Sequence, residues 1–270
     1  YDVCFIRAAG LKINGTIVDT MIAGSLVDEN RFRYDLGSMG RDYLGRGKNE
    51  AVLNETAALW GVDAKSEMYK LPAIYVGEYA ERDAEMTLEL WQQMKQEIQH
   101  QDIESIFDLE TELFPCLVDM RFLGVRVDVE AANQLKQKLL AEEKECLQKV
   151  KKETSVDIQI WAARSIARVF EKLNLPFDRT EKTNSPSFTK NFLKNHPHPI
   201  VKHIARAREI NKAHTTFIDT ILKHEHKGRI HAEINQLRSD QGGTVTGRFS
   251  YNNPNLQQIP ARNKELGPMI

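Results

Sequence analysis

Residues 244–262 concentrate the side chains best suited to holding another molecule. Arg248, Asn255, Gln257, Gln258 and Arg262 follow one another through a stretch too polar and turn-rich for a core element. Pro254 and Pro260 fix its backbone, so the loop is expected to be rigid. Amides and guanidiniums on such a loop suit the minor groove of DNA, where every base pair offers acceptors at purine N3 and pyrimidine O2. A donor there tests pair geometry without reading sequence. Spacing alone still favours plain loop structure over DNA contact. A second candidate is Tyr79 with Asp83, four residues apart in a helical pattern and therefore on one face. Such a pair is common on helices and carries little alone. The third candidate is charge. Residues 176–230 hold eleven Lys/Arg against five Asp/Glu, and six of the eight histidines, whereas residues 78–112 hold eleven acidic residues against Arg82 and Lys95. Each run by itself reads as a solvated face. Their segregation points to a polyanion-binding lobe beside an acidic one.

The elements that must position these residues follow from periodicity. At 270 residues, 41% of them hydrophobic, the chain is long enough for two cored domains. Residues 1–45 read as short strand-like runs and then a helix: 11–18 alternates around an Asn14-Gly15 turn, and Asp19 caps a helix over 20–26. Helices are predicted over 72–91 and 103–121. Gly124 breaks the second, and Asp128 caps a charged helix to about Lys152. A shorter helix spans 158–173, and 180–187 is a polar loop tip. Pro199 opens the basic helix, whose stripe is Ile200, Ile204, Ala207, Asn211, His214, Phe217 and Ile221. Lys202, Arg206, Arg208 and Lys212 leave that stripe for the solvent side, where they either contact phosphate or are simply solvated. After Gly228, Ile230, Ala232 and Ile234 alternate as a strand.

The segment "TGRFS…NPNLQQIPAR" resembles the signature of family A (DNA polymerase I type) DNA polymerases that precedes the first palm carboxylate motif. Gly228–Ile230, His231, Asn235 and Gln236 match that family's entry into the palm. "LFPCLVDMRFLGVRVD", ending at Asp128, is similar to its join between exonuclease and thumb, and residues 128–223 resemble its thumb. The resemblance implies a minor-groove contact at the primer end for Arg248, duplex contacts for Asn255, Gln257, Gln258 and Arg262, and phosphate contacts for Lys202, Arg206, Arg208 and Lys212. The first hundred residues resemble the back half of the family's ribonuclease H-like 3′→5′ proofreading exonuclease. Tyr79-Ala-Glu-Arg-Asp83 fits its Tyr-x-x-x-Asp motif, and Tyr1-Asp2 falls where the family keeps its second exonuclease aspartate. That exonuclease cleaves phosphodiesters with two divalent ions, for which Mg²⁺ takes carboxylate oxygens. The resemblance implies Asp83 and Asp2 as Mg²⁺ ligands and Tyr79 as the orienter of the attacking water, around one acidic cleft. Asp19 stays a helix cap.

The implied architecture is α/β plus mostly helical: residues 1–102 a partial exonuclease domain, 103–128 a connecting helix and strand, 129–227 a helical thumb, and 228–270 the start of the palm. Its partners would be primer–template DNA and, in the full-length protein, dNTPs. The compact wording of the motif is phage-like and implies a viral replicative enzyme. Both Mg²⁺ carboxylate sets are incomplete on this reading: an Asp-x-Glu pair belongs upstream of Asp2 and the first palm aspartate beyond Ile270. The isolated chain is therefore expected to be inactive. A stand-alone DnaQ-like exonuclease has no reason to carry residues 244–262, and a non-enzymatic DNA-binding module is the other rival. No apolar run approaches the roughly 18–20 residues of a membrane span. Asp2 and Arg7 interrupt any signal-peptide core. Cys4, Cys116 and Cys146 have no metal-like spacing and read as reduced thiols of a cytoplasmic-type compartment, the host cytoplasm for a virus.

Overall fold

The computed structural model describes residues 2–240, 242–260 and 266. Chain contacts divide it into two compact units, Tyr1–Leu123 with Ala232–Asn255, and Gly124–His231 with Leu256–Ile270. The helix after residue 103 belongs to the first unit, and the run after Gly228 divides between the two units at His231.

Helices carry the first unit: α1 (Asp2–Ala8), α2 (Thr20–Val27), α3 (Leu36–Leu44), α4 (Ala51–Trp60), α5 (Ala73–His100) and α6 (Glu104–Leu123). Met86, Leu90, Met94 and Ile98 recur every fourth residue of α5 and are its buried stripe. They pack with Ala23 of α2, Met39 of α3, Tyr34 and Phe107, the last under Trp91 at a ring separation of 5.3 Å. Burying each such large side chain contributes about 1.5–3 kcal/mol. Asp19 caps α2 as expected, accepting from Met21 N at 2.8 Å. The strand-like reading of residues 1–45 is overturned. Residues 2–8 form α1, residues 11–18 are irregular, and no described residue up to Leu123 lies in a strand. An alternating run becomes a strand only when another strand pairs with it, and none of the described residues does.

Glycine permits a close approach of loop and helix in this unit. A Cβ on Gly40 of α3 would lie 2.8 Å from both the Arg46 carbonyl and the Met86 sulfur, so only a bare backbone lets the loop after α3 fold back beside α5. Gly45, at φ 67°, ends α3 and starts that return. Arg46 then reaches Glu89 of α5 at 2.5 Å.

The second unit is built on two long helices, α7 (Val129–Thr154) and α10 (Pro199–Lys212). Asp128 caps α7 through Ala131 N at 2.9 Å, as its sequence predicts, and Pro199 sits in the first turn of α10. Cys146 and Val150 of α7 meet Ile200, Val201, Ile204 and Ala207 of α10. Helix α8 (Ala163–Lys172) adds Ile166 and Phe170, and α9 (Lys190–Asn195) adds Leu193. Phe170 lies 4.9 Å from Phe188 and 5.9 Å from Phe192. The helix expected over 158–173 starts only at Ala163, because Ile158 and Ile160 enter this core from an irregular segment. Polar ties join the long helices: Glu143 takes His214 Nε2 at 2.6 Å and Asn211 Nδ2 at 3.0 Å, and Asn211 accepts from Trp161 Nε1 at 2.8 Å. A π turn, Ala213–Ile218, sits at that point and leads into α11 (Asp219–His224). Strand β1 (Val125–Arg126) pairs with β5 (Arg229–Ile230), which pairs with β4 (Glu225–His226); β2 (Asp178–Arg179) and β3 (Pro186–Ser187) flank the polar tip. The β4–β5 turn uses positive φ at Lys227 and Gly228, the pairing geometry of a tight hairpin.

Two glycine substitutions test this packing with opposite signs. Gly40→Ala is expected to cost about 1–3 kcal/mol, because its methyl meets backbone. Gly77→Ala, in open space on α5, gains about 0.5–1 kcal/mol of helix propensity. Urea midpoints of the two variants check both.

Candidate nucleic-acid interface

Residues 232–255 close on themselves through the pair β6 (Glu233–Asn235) and β7 (Ser250–Asn252), registered Glu233↔Asn252 and Asn235↔Ser250. The turn between them is tied at several points. Gly243 N donates to Ser250 Oγ at 3.0 Å, Thr244 Oγ1 donates to the Arg248 carbonyl at 2.8 Å, and Asn235 Nδ2 donates to the Asn252 side chain. Gly243, at φ 90°, has no room for a Cβ, which would lie 2.0 Å from the Leu237 carbonyl. Gln236 is buried and donates to the Glu110 carbonyl of α6 at 2.6 Å, anchoring the start of the loop. On this frame Arg248 is exposed, and its guanidinium makes no hydrogen bond or ion pair among the described residues. Asn255 is exposed, as are Gln257 and Gln258 in the 3₁₀ turn Leu256–Gln258 of the second unit. Arg262 lies outside the described residues.

The basic helix α10 departs from its expectation. Lys202 and Lys212 are exposed, but Arg206 and Arg208 do not point freely to solvent. Arg206 forms a two-pronged pair with Glu142 of α7, at 2.7 and 3.0 Å, and also reaches Glu209. Those hydrogen bonds raise its pKa further and hold the Glu142 carboxyl low. Arg208 donates to the carbonyls of Ile160 at 2.6 Å and Phe188 at 2.9 Å, and lies over the Trp161 ring. Burial lowers its pKa. Both guanidiniums are committed to the fold because α10 faces α7 and the 158–162 segment on these sides. The exposed arginines that sequence reasoning missed are Arg164 and Arg168 of α8, four apart on the face opposite buried Ile166 and Phe170. Helical spacing was the available signal, since both lie inside the helix expected over 158–173.

Tyr79 and Asp83 do share one face of α5, and Lys48 joins them. Its ammonium lies 2.5 Å from Asp83 Oδ2 and 3.1 Å from the Tyr79 hydroxyl. Burial raises the Tyr79 pKa. Burial pulls against the Lys48 charge, and the bonds to Asp83 and Tyr79 outweigh it, so its pKa rises. The expected acidic cleft is thus a mixed cluster. Asp2, exposed on the first turn of α1, shares no hydrogen bond or ion pair with Tyr79 or Asp83, and Tyr1 lies outside the described residues. No group of three or more His, Cys, Asp or Glu among the described residues could hold a metal ion. The residues gathered here, one carboxylate with a lysine as counter-charge, do not fit a two-ion Mg²⁺ site. No sequence signal pointed to Lys48, which lies 31 and 35 residues from its partners.

The three cysteines form no disulfide, and no helix among the described residues is long and apolar enough to cross a membrane.

The model of the family described as DNA polymerase family A matches residues 129–269. The chain is 32% identical over 276 positions to a DNA-directed DNA polymerase of Pseudomonas phage M6, covering 98% of the chain and 41% of that protein. It is 31% identical over 296 positions to DNA polymerase DpoZ of Acinetobacter phage SH-Ab 15497, covering 100% of the chain and 47% of the relative. DNA polymerase I of Bacillus subtilis (strain 168) is 28% identical over 96% of the chain and 29% of its own length. The chain thus spans less than half the length of these curated relatives. Among solved structures, the POL domain of Pol1 from M. smegmatis, in complex with DNA primer-template and dNTP, superposes with a TM-score of 0.69 over 96% of this chain and 41% of its own. At 22% identity that likeness concerns the fold.

The pairing of Arg208 predicts a stability effect separable from charge. Arg208→Ala leaves two carbonyls without their donor and is expected to cost about 1–3 kcal/mol. Lys202→Ala, at an exposed position, is expected to stay within about 0.5 kcal/mol. Denaturant midpoints of the two variants check the contrast.

Proposed function

This chain belongs to DNA polymerase family A, and from that premise we propose that it is the part of a template-directed DNA polymerase that grips primer–template DNA. The observation that carries the reading is Arg248: an exposed guanidinium with no partner among the described residues, on a loop whose own backbone is held by Thr244 and Ser250. A residue that merely tied down its loop would spend its donors on that loop. Arg248 instead has them available for the minor-groove acceptors of the primer-terminal pair. Asn255, Gln257, Gln258 and Arg262 are assigned to the neighbouring duplex. Phosphate contacts are assigned to Lys202 and Lys212, together with Arg164 and Arg168, because these cations are exposed while Arg206 and Arg208 serve the fold.

The polymerase carrying this chain would extend primers with dNTPs during phage DNA replication in the host cytoplasm, using Mg²⁺. Residues 1–102 are proposed as the back part of its 3′→5′ exonuclease, on the strength of Tyr79 and Asp83 sharing a helix face. By the same reading the 270-residue chain binds DNA without incorporating nucleotide. A stand-alone exonuclease or a non-enzymatic binding module leaves the family match over residues 129–269 without a purpose.

Two experiments test the reading. In the whole polymerase, Arg248→Ala should slow extension from matched primer ends by about 5- to 150-fold, the equivalent of 1–3 kcal/mol. It should also narrow the gap between matched and mismatched ends; an unchanged ratio with a lower melting temperature would retire the primer-end role. For the 270-residue chain, Arg164→Gln with Arg168→Gln should lower the slope of log affinity against log salt by about 2, near 0.9 per phosphate. Arg206→Gln should leave that slope where it is.

A further inference from the structure

The Lys48 ammonium is held at two points and has a third. Of its three N–H donors, one meets Asp83 at 2.5 Å and one meets the Tyr79 hydroxyl at 3.1 Å. The third has no acceptor among the described residues. Lys48 and Tyr79 together line an open groove with Phe32, Arg33, Lys65 and Asp240 among its walls. Phe32 is 94% exposed there, an apolar ring in solvent flanked in sequence by Arg31 and Arg33. The side chains of Arg33 and Lys65 carry no ion pair among the described residues. The acids of the groove are Asp35, Glu50 and Asp240. Asp35 accepts from Ser38 of its own helix cap and Asp240 from Tyr34 N at 2.8 Å, bonds that fix these carboxylates in place and leave them charged. An aromatic ring beside cations is the chemistry that holds a single polynucleotide strand, base on ring and phosphate on ammonium.

We propose that Lys48 is a positioning residue of the exonuclease remnant: it fixes Tyr79 and Asp83 in register and presents its third N–H to a phosphate of a single-stranded 3′ end lying in this groove. The geometry explains why the loop after α3 is fastened to α5 twice. Arg46 takes Glu89 and Lys48 takes Asp83, two ion pairs that tie the loop to α5 on either side of Gly47. Its charge is also set against Asp83, which makes the pair's effect on a phosphate sign-dependent. Removing the lysine removes an attraction; neutralising the aspartate removes a repulsion and releases the lysine.

This inference rests on the exonuclease reading above, and the test separates the two. The 270-residue chain is titrated with a fluorescein-labelled oligothymidylate in EDTA, so that no metal-dependent activity enters the measurement. Lys48→Met is expected to weaken binding by about tenfold, the loss of one charged hydrogen bond, and to lower the salt slope by about 1. Lys48→Arg should retain most of the affinity, and Asp83→Asn should tighten binding. A purely structural pair predicts instead that Lys48→Met and Asp83→Asn both lower the melting temperature and both weaken binding. That result overturns the proposal, as does an absence of oligonucleotide binding by the unaltered chain. If Lys48→Met does not fold, the opposite shifts of Lys48→Gln and Asp83→Asn decide the matter in the same way. In the whole polymerase, Asp83→Ala should abolish 3′ excision. If excision survives that change, the exonuclease reading fails; if it is lost there but unchanged in Lys48→Met, Lys48 alone loses its role.

Discussion

A guanidinium that already holds two carbonyls of its own chain has little left for a phosphate, and this constraint divides the cations of the protein into two sets. Arg208 is spent on Ile160 and Phe188, and Arg206 on Glu142. Both bonds lock α10 against its neighbours. Packing leaves other cations outside, Lys202, Lys212, Arg164, Arg168 and Arg248, and these are the ones proposed to meet a polyanion. A local count of positive charge treats all of these as equivalent. Hydrogen bonding separates them into residues that build the fold and residues that face out from it.

The same separation orders the polar segment of residues 236–250 into parts with different duties. Gln236, Gly243, Thr244 and Ser250 make the loop one shape, through buried or backbone bonds. On the proposed minor-groove role, these bonds would reduce the ordering entropy that Arg248 loses on binding. A loop of similar composition without the Gly243 and Ser250 contact would hold the same guanidinium in many positions.

Much of the frame was legible in the sequence because it depends on neighbours along the chain. Asp19 and Asp128 were read as helix caps from residue type and from the apolar pattern that follows, and both accept the expected backbone N–H. The tyrosine–aspartate face of α5 and the Pro199 start of α10 are equally local. What failed needed a distant partner. Residues 11–18 alternate as a strand does, yet strand formation depends on a pairing edge. Ile158 and Ile160 have helical spacing with the residues after them, but the aromatic core around Phe170 draws them in from an irregular segment. The Lys48 cluster joins residues more than thirty positions apart, and the fates of Arg206 and Arg208 depend on Glu142 and on two carbonyls elsewhere in the chain. In the candidate site, the exposure of Arg248, Asn255, Gln257 and Gln258 agrees with the polar, turn-rich sequence, while the bonds of Arg206 and Arg208 were illegible because they are tertiary.

Arginine-specific labelling of the 270-residue chain with phenylglyoxal, read by mass spectrometry with and without primer–template DNA, tests the central assignment directly. The account predicts that Arg248, Arg164 and Arg168 react readily in the free chain and are protected by DNA, while Arg206 and Arg208 react slowly in both states. Equal labelling of Arg248 with and without DNA, alongside protection of Arg206 or Arg208, would contradict it.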